Sequence, residues 1–160
     1  MPLPLPTEKF LTLSNGAVRY IDQGMGPPLV LVHGILACLE FWVYLLPELS
    51  KYFRVIAVDL PGFGKTDDQT QEYTLEYYAQ FLENFLAALH IERSYLAAHS
   101  LGGALALSFA LDYPHRIQKL MLINSTGFHR QVSWLFRLLK IKFFHHFVKG
   151  CMRFWGDRLS

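Results

Sequence analysis

Residues 94–103, with the sequence Ser-Tyr-Leu-Ala-Ala-His-Ser-Leu-Gly-Gly, constrain the fold of this chain more than any other feature. An apolar run leads into Ser100, and a helical pattern begins directly after it. Both second neighbours of the serine, Ala98 and Gly102, are small, as a sharp reversal requires because it brings these two positions together. The pattern therefore predicts a strand, a tight turn at Ser100 and a helix, with the serine Oγ exposed at the turn.

Other apolar runs predict further strands of the same sheet. They lack the alternation of a half-exposed strand, which indicates burial on both faces and a parallel sheet. The predicted strands are residues 29–32, 54–58, 95–98 and 117–123. The predicted helices are residues 41–51, interrupted or kinked near Pro47, 74–90 and 101–113. Strands that alternate with helices indicate βαβ units in an open sheet, and hence an α/β fold.

The N-terminal part of the chain has a different pattern. Residues 9–13 and 17–21 are predicted to be strands, and Asn15 and Gly16 between them favour the positive φ angles of a hairpin turn. Further along, Thr74 has the residue type and the position of a helix N-cap. We therefore expect a mostly parallel sheet that begins with an antiparallel hairpin and carries flanking helices.

The charge is distributed unevenly along the chain. Residues 1–128 contain eight Lys and Arg against twelve Asp and Glu, whereas residues 129–160 contain seven against one. The basic segment also contains Trp134, Trp155 and a long helical pattern over residues 132–149. Two interpretations stay open for it. It is either a lid or cap helix over a pocket, or a basic amphipathic helix that makes peripheral membrane contact through residues 130–158.

Several classes of function have no support in the sequence. No metal-ligand spacing occurs, and the glycine-rich loop at residues 59–64 lacks the spacing and the Lys-Ser/Thr ending of a phosphate-binding loop, so we expect no metal and no cofactor. The acidic body argues against nucleic-acid binding. Cys38 and Cys151 form no recognisable pair, and no signal peptide precedes the first strand. These features favour a cytoplasmic protein.

Four motifs occur in a fixed order, each beside a predicted strand. They are His33-Gly34, the Asp-Leu-Pro-Gly-Phe-Gly loop at residues 59–64, the His-Ser-Leu-Gly-Gly segment at residues 99–103 and the Tyr-Pro-His-Arg-Ile segment at residues 113–117. Together they closely resemble the N-terminal half of an α/β-hydrolase. The resemblance implies that residues 1–127 form that half of the core and that residues 128–160 begin a helical cap or lid.

The resemblance also implies roles for particular residues. Ser100 corresponds to the nucleophile at the turn known as the nucleophile elbow. The backbone N–H groups of Leu101 and Ile35 correspond to the two donors of the oxyanion hole. Two simpler interpretations stay open from the residues themselves. Ser100 can be an ordinary helix N-cap, and Ile35 can be a core residue at a strand end.

Three further residues are expected to line the substrate pocket. His33 and Gly34 follow the first buried strand, and His99 precedes the nucleophile. We interpret His33 as a residue that orders the loop and His99 as a packing residue beside Ser100. Asp59 is expected to hold its loop rather than to act as the triad acid, because it precedes the serine, whereas the family order is Ser, then Asp or Glu, then His.

The remaining members of the triad have no match in the sequence. After Ser100 the acidic residues are Asp112 and Asp157, and neither occupies the position of the triad acid in the family. None of the later histidines follows a last sheet strand either. We therefore expect the triad acid and histidine beyond Ser160. We also expect the chain to be a fragment whose 160 residues have little or no esterase activity by themselves.

The function that these features favour is a serine-dependent hydrolase of small-molecule carboxylic esters or related acyl substrates, acting through an acyl-enzyme. Serine at the elbow disfavours the halide- and epoxide-cleaving members of the family, which use aspartate there. It does not separate esterases from lipases, carbon–carbon bond hydrolases or perhydrolases. A non-catalytic, hydrolase-like protein that binds a ligand or a partner is the alternative.

Overall fold

The computed structural model describes residues 7–14, 16–67 and 73–126. Within these ranges the strands form one six-stranded sheet in the order β1-β2-β4-β3-β5-β6. The strands are β1 (Lys9–Leu13), β2 (Gly16–Gln23), β3 (Pro28–Val32), β4 (Arg54–Val58), β5 (Ser94–His99) and β6 (Ile117–Ile123). The pairs β1–β2 and β2–β4 are antiparallel, and β4–β3, β3–β5 and β5–β6 are parallel. The predicted hairpin and the mostly parallel sheet are confirmed.

The central strands are buried on both faces, as the absence of alternation predicted. Successive side chains of a strand point to opposite faces of the sheet. One face, with Val30 and Val58, packs against the two long helices α2 (Leu75–Ala88) and α3 (Leu101–Asp112). The opposite face, with Leu31 and Ala57, packs against Trp42 and its neighbours. The sheet therefore lies between two layers, and its central strands form the core.

Helix α2 begins where the sequence predicted. The Oγ1 atom of Thr74 accepts a hydrogen bond from the N–H of Tyr77 at 3.1 Å, which satisfies one of the free donors of the first turn. The buried side of the helix carries a stripe that includes Phe81 and Phe85. The helix ends at Ala88, two residues before the predicted end.

The helix predicted over residues 41–51 is interrupted, which was one of the two alternatives, but its predicted bounds are wrong. The structure has a 3₁₀ turn at Leu39–Trp42 and a separate short helix α1 (Leu46–Leu49). Pro47 lies in the first turn of α1, where its missing N–H costs nothing and its fixed φ suits a helix start. The proline therefore begins a new helix instead of kinking a continuous one.

Strand β6 is less buried than β3 and β4, although the sequence predicted a fourth buried strand. Gln118, Lys119 and Met121 are exposed, because within the described ranges no strand pairs with the edge of β6 that faces away from β5. The boundary at Gly127, the cap at residues 128–160 and the membrane contact through residues 130–158 lie outside the described residues. None of the helices in the described ranges combines the length and the apolar character that crossing a membrane requires.

Candidate active site

Ser100 is the single residue between strand β5 and helix α3. Its backbone has φ 53° and ψ −119°, so φ lies in the left-handed region that residues with a side chain rarely adopt. Its side chain forms no capping hydrogen bond with α3, and its φ differs from that of the extended residues that normally cap helices. The tight turn predicted at Ser100 is present, and the N-cap interpretation does not describe it.

Two glycines after the serine allow α3 to approach its neighbours closely. A Cβ atom on Gly102 would lie 2.4 Å from the carbonyl oxygen of His33, at the end of β3. A Cβ atom on Gly103 would lie 2.1 Å from the Oγ of Ser125, in the segment after β6. Both separations are far below van der Waals contact. The first turn of α3 is therefore wedged between the segments that follow β3 and β6.

The loop after β3 lies directly against Ser100. A Cβ atom on Gly34 would lie 2.9 Å from the Cβ of Ser100 and 3.1 Å from the Nδ1 of His99. Within the described residues, the backbone N–H groups of Ile35 and Leu101 donate no hydrogen bond. The two groups that sequence resemblance assigns to the oxyanion hole are therefore uncommitted.

His33 holds this loop through hydrogen bonds of its side chain. Its side chain is fully buried, so it does not line an open pocket, contrary to the expectation from the sequence. The Nε2 atom accepts a hydrogen bond from the N–H of Leu60 at 3.1 Å, which places the proton on Nδ1, and Nδ1 donates to the carbonyl oxygen of Gly34 at 2.8 Å. Burial lowers the pKa of His33, and the nearby Asp59 offsets only part of this effect. Neutral His33 has no free nitrogen for proton transfer.

His99 lies beside Ser100 and packs against an aromatic ring. The rings of His99 and Phe41 are stacked with centroids 4.5 Å apart. The Nδ1 of His99 is buried and, within the described part of the chain, has no hydrogen-bond partner. Phe41 itself is 47% exposed. The stack therefore gives an apolar, partly exposed surface next to Gly34.

Asp59 holds two loops through its carboxylate. Its Oδ1 accepts a hydrogen bond from the N–H of Leu39 at 2.7 Å, and its Oδ2 accepts one from the N–H of Lys65 at 2.9 Å. A Cβ atom on Gly64, which has φ 55°, would lie 2.0 Å from Oδ2, so a glycine is required there for both conformation and space. These contacts agree with the interpretation of Asp59 as a residue that holds its loop.

The same carboxylate belongs to a buried ion cluster around Arg19. The guanidinium of Arg19 is 2% exposed and donates to Asp59 at 3.0 Å. It also donates to both carboxylate oxygens of Glu40, at 2.5 and 3.2 Å, and to Glu8 at 2.6 Å. The cluster joins β2, the 3₁₀ turn after the Gly34 loop and the loop after β4. It therefore braces the segments that surround the candidate oxyanion hole.

The protonation equilibria in this cluster follow from its geometry. Burial by itself lowers the pKa of Arg19, but the hydrogen bonds with Glu40 and Glu8 outweigh it and raise the pKa above its ordinary value. Burial by itself raises the pKa of Glu40, but hydrogen bonds from Arg19 and Cys38 outweigh it and lower that pKa. Burial and the adjacent Glu40 raise the pKa of the Cys38 thiol to about 12. Cys38 is therefore a neutral, unreactive thiol.

Four residues near the site were missed by sequence reasoning. They are Arg19, Glu40, Phe41 and Thr126. One of them had a visible signal, because an arginine in the middle of an apolar strand at residues 17–21 calls for a buried acidic partner. The others sit in loops or short turns whose neighbours are set by the sheet. Their contacts had no local signal.

The described residues do not contain a complete catalytic triad. Within them, no side chain forms a hydrogen bond with the Oγ of Ser100. The ring nitrogens of His33 and the carboxylate oxygens of Asp59 are engaged in the contacts described above. In the same ranges, no group of three or more His, Cys, Asp or Glu side chains is arranged to hold a metal ion.

The fold agrees with the comparison of this chain with known protein families. The family model of the alpha/beta hydrolase fold matches residues 27–148. The chain therefore belongs to the α/β-hydrolase family, and the resemblance noted in the sequence is confirmed.

Several of the relatives are named as hydrolases. The chain is 41% identical over 110 residues to the 2-hydroxy-6-oxo-2,4-heptadienoate hydrolase of Pseudomonas putida, a match that covers 66% of this chain and 40% of that protein. Among solved structures, a membrane phospholipase A described as a bacterial virulence factor matches with 32% identity and a TM-score of 0.76, covering 84% of this chain and 44% of that one. The naproxen esterase of Bacillus subtilis matches with 27% identity and a TM-score of 0.76, covering 82% and 47%. The chain spans 40% of the length of the first curated relatives it matches.

Proposed function

We propose that this protein is a serine-dependent hydrolase of carboxylic esters or related acyl substrates, with Ser100 as the nucleophile. The observation that carries the proposal is the left-handed backbone of Ser100, a single residue between a central strand and a helix. Such a conformation costs on the order of 1–3 kcal/mol and persists mainly where the surrounding structure enforces it, typically at active sites. The hydrolase names of several relatives support the same reaction class.

In the proposed reaction, the Oγ of Ser100 attacks the acyl carbon of the substrate while a general base takes the hydroxyl proton. The bond from the acyl carbon to the leaving group then breaks, and the leaving group departs with that proton. A water molecule repeats the attack on the acyl-enzyme, which releases the acid and restores the serine. The proposed mechanism thus passes through two tetrahedral intermediates, each with a negatively charged oxygen.

The N–H groups of Leu101 and Ile35 are our proposed donors to that oxygen. Both are uncommitted within the described residues, and the close contact between Gly34 and Ser100 brings the two segments together. One such donor is worth about 3–4 kcal/mol of transition-state stabilisation. Leu101 also begins the 12-residue helix α3, so the positive end of the helix dipole favours negative charge at the same place.

We propose that the base and the acid of the triad lie outside the described residues, as the resemblance implies. Both ring nitrogens of His33 and both carboxylate oxygens of Asp59 hold the loops, which leaves them unsuited to proton transfer. The stack of Phe41 on His99 supports an apolar or aromatic acyl group as the substrate portion nearest to Gly34.

The nucleophile can be tested with a fluorophosphonate probe, which labels activated serines covalently. The protein should be expressed from its complete reading frame and compared with the variants Ser100→Ala and Ser108→Ala. Ser108 lies two turns further along α3 and is the matched control. We expect labelling of the unmodified protein and of Ser108→Ala, and none of Ser100→Ala. Rapid p-nitrophenyl butyrate hydrolysis should follow the same pattern.

Two results would contradict the proposal. Labelling that persists in Ser100→Ala would show that another residue is the nucleophile. A folded, unmodified protein that neither labels nor hydrolyses esters would favour the non-catalytic alternative, in which the pocket binds a ligand or a partner without turnover.

A further inference from the structure

The segment that follows β6 forms hydrogen bonds with the nucleophile elbow on the side opposite the Gly34 loop. The N–H of Ser100 donates to the carbonyl oxygen of Ile123 at 3.1 Å. The carbonyl oxygen of Ser100 in turn accepts the N–H of Thr126 at 3.1 Å and the Oγ1–H of Thr126 at 3.2 Å. Ile123 and Thr126, which lie 23 and 26 positions further along the chain, therefore hold the two peptide groups that flank the strained serine.

Residues of the segment after β6 and of helix α3 allow this segment to lie close to Ser100. Asn124 has φ 45°, which turns the chain sharply away from β6 and toward the elbow. The Oγ of Ser125 donates to the carbonyl oxygen of Thr126 at 2.7 Å and fixes the turn. Gly103 leaves room for Ser125, since its Cβ would lie 2.1 Å from that Oγ. The position of Thr126 is thus determined by several contacts.

The peptide group between Ser100 and Leu101 connects Thr126 with the proposed chemistry. A trans peptide is planar, and its N–H points in the direction opposite to its C=O. Donors that fix the carbonyl of Ser100 therefore also fix the direction of the Leu101 N–H. The carbonyl has a third donor, the N–H of Gly103 at 3.0 Å. Hydrogen bonds to a carbonyl also polarise its amide and strengthen the N–H as a donor.

We propose that Thr126 is a positioning residue for the oxyanion hole, which acts through the Ser100–Leu101 peptide and aims the Leu101 N–H. This inference rests on the proposed function and adds a residue to it. The hydroxyl of Thr126 points to the carbonyl of Ser100 and touches no reacting atom. Its effect belongs to the transition state, in which the substrate oxygen becomes negative, rather than to substrate binding.

The first test separates this role from simple support of the fold. Thr126→Val removes the hydroxyl and keeps the shape and the backbone N–H, Thr126→Ser keeps the hydroxyl, and Thr12→Val on the exposed edge strand β1 is the matched control. The kinetics of p-nitrophenyl butyrate hydrolysis and the Ki of butylboronic acid, which forms a tetrahedral adduct with an active serine, should be measured for each. The protein should again come from its complete reading frame.

We expect Thr126→Val to lower kcat/KM about three- to tenfold with KM unchanged and to raise the Ki of the boronate by the same factor. The loss is smaller than the roughly hundred- to thousandfold effect of removing a whole oxyanion donor, because two other donors stay on the carbonyl. Thr126→Ser and Thr12→Val should stay close to the unmodified protein. A fall in kcat with an unchanged Ki would mean fewer active molecules and would overturn the proposal.

The second test observes the Ser100–Leu101 peptide group directly and does not require enzymatic activity. Ser100 and Leu101 form the only Ser-Leu pair in the 160 residues. Labelling serine carbonyls with ¹³C and leucine nitrogens with ¹⁵N therefore selects this one peptide group among the 160 residues, and loss of the signal in Leu101→Ile identifies it in the NMR correlation spectrum of the protein from the complete reading frame. We expect the carbonyl resonance to move upfield in Thr126→Val and to stay in place in Thr126→Ser and Thr12→Val.

The two proposals fail in different ways. A carbonyl resonance that does not move in Thr126→Val overturns the role of Thr126 and leaves Ser100 as the nucleophile. An absence of Ser100-dependent labelling in the unmodified protein overturns the proposed function, and the oxyanion role of Thr126 with it.

Discussion

Replacing Arg19 with methionine gives the most direct test of how the loops around the site are held. The arginine is 2% exposed, and its guanidinium donates four hydrogen bonds to three carboxylates. Arg19→Met keeps a similar apolar stem and leaves Asp59, which has no exposed surface, without its only charged partner in the cluster. Removing one member of a buried ion pair typically costs about 3–5 kcal/mol, because the remaining charge is buried and uncompensated.

The geometry places the expected loss of unfolding free energy toward the lower end of this range. Asp59 keeps two backbone N–H donors, and the side chains of Glu8 and Glu40 are each 27% exposed, so water can reach them. We therefore expect Arg19→Met to lower the free energy of unfolding by about 3 kcal/mol. Arg19→Lys should lose less, since it keeps the charge but not the forked geometry that contacts both oxygens of Glu40.

The assay is urea unfolding followed by tryptophan fluorescence, to which the buried Trp42 contributes, and by circular dichroism. Lys51→Met is the control, because Lys51 pairs with Glu48 on the surface, with side chains 57% and 71% exposed. Such a pair contributes less than about 1 kcal/mol. If Arg19→Met loses no more free energy of unfolding than Lys51→Met, the cluster around Arg19 does not stabilise the fold.

Three further predictions concern the same loops. The unfolded state takes up a proton at His33 near pH 6.5, whereas burial lowers the pKa of His33 in the folded state. The free energy of unfolding should therefore fall as the pH drops below about 6.5. In a series of unfolding curves at different pH values, His33→Asn should reduce this fall. Gly34→Ala should lower the rate of fluorophosphonate labelling at least tenfold with little change in Tm, since the added Cβ would meet the Cβ of Ser100 at 2.9 Å; unchanged labelling would refute it. Gly64→Ala should lower Tm by several degrees, because its Cβ would meet the carboxylate of Asp59 at 2.0 Å and its φ is 55°; a Tm equal to that of the unmodified protein would count against this reading.

Much of the fold could be predicted from the sequence because its signals are local. Unbroken apolar runs predicted the buried strands, and the structure has β4 and β6 at the predicted residues. Thr74 predicted the start of α2 through a bond with a residue three positions away. The prediction over residues 41–51 left open whether the helix is interrupted or kinked, because Pro47 suits either a helix start or a kink and the surroundings decide between them.

The candidate nucleophile was also visible in the sequence, whereas its supports were not. Small residues around Ser100 are a steric condition for the turn, and sterics act between near neighbours. Arg19 and Asp59 are 40 positions apart, and they meet because β2 pairs with β4. Thr126 reaches the carbonyl of Ser100 because β6 lies beside β5.

The sequence by itself determined the strands, the two long helices and the sharp turn at Ser100, because backbone sterics and hydrophobic periodicity operate over a few residues. Only the tertiary structure decided which side chains hold that turn and the loop beside it. Three features depend on the order of the strands in the sheet. They are the tautomer of His33, the ion cluster around Arg19 and the hydrogen bonds from Thr126 to Ser100. That order is set by the burial of the whole core, which no single segment of the sequence encodes.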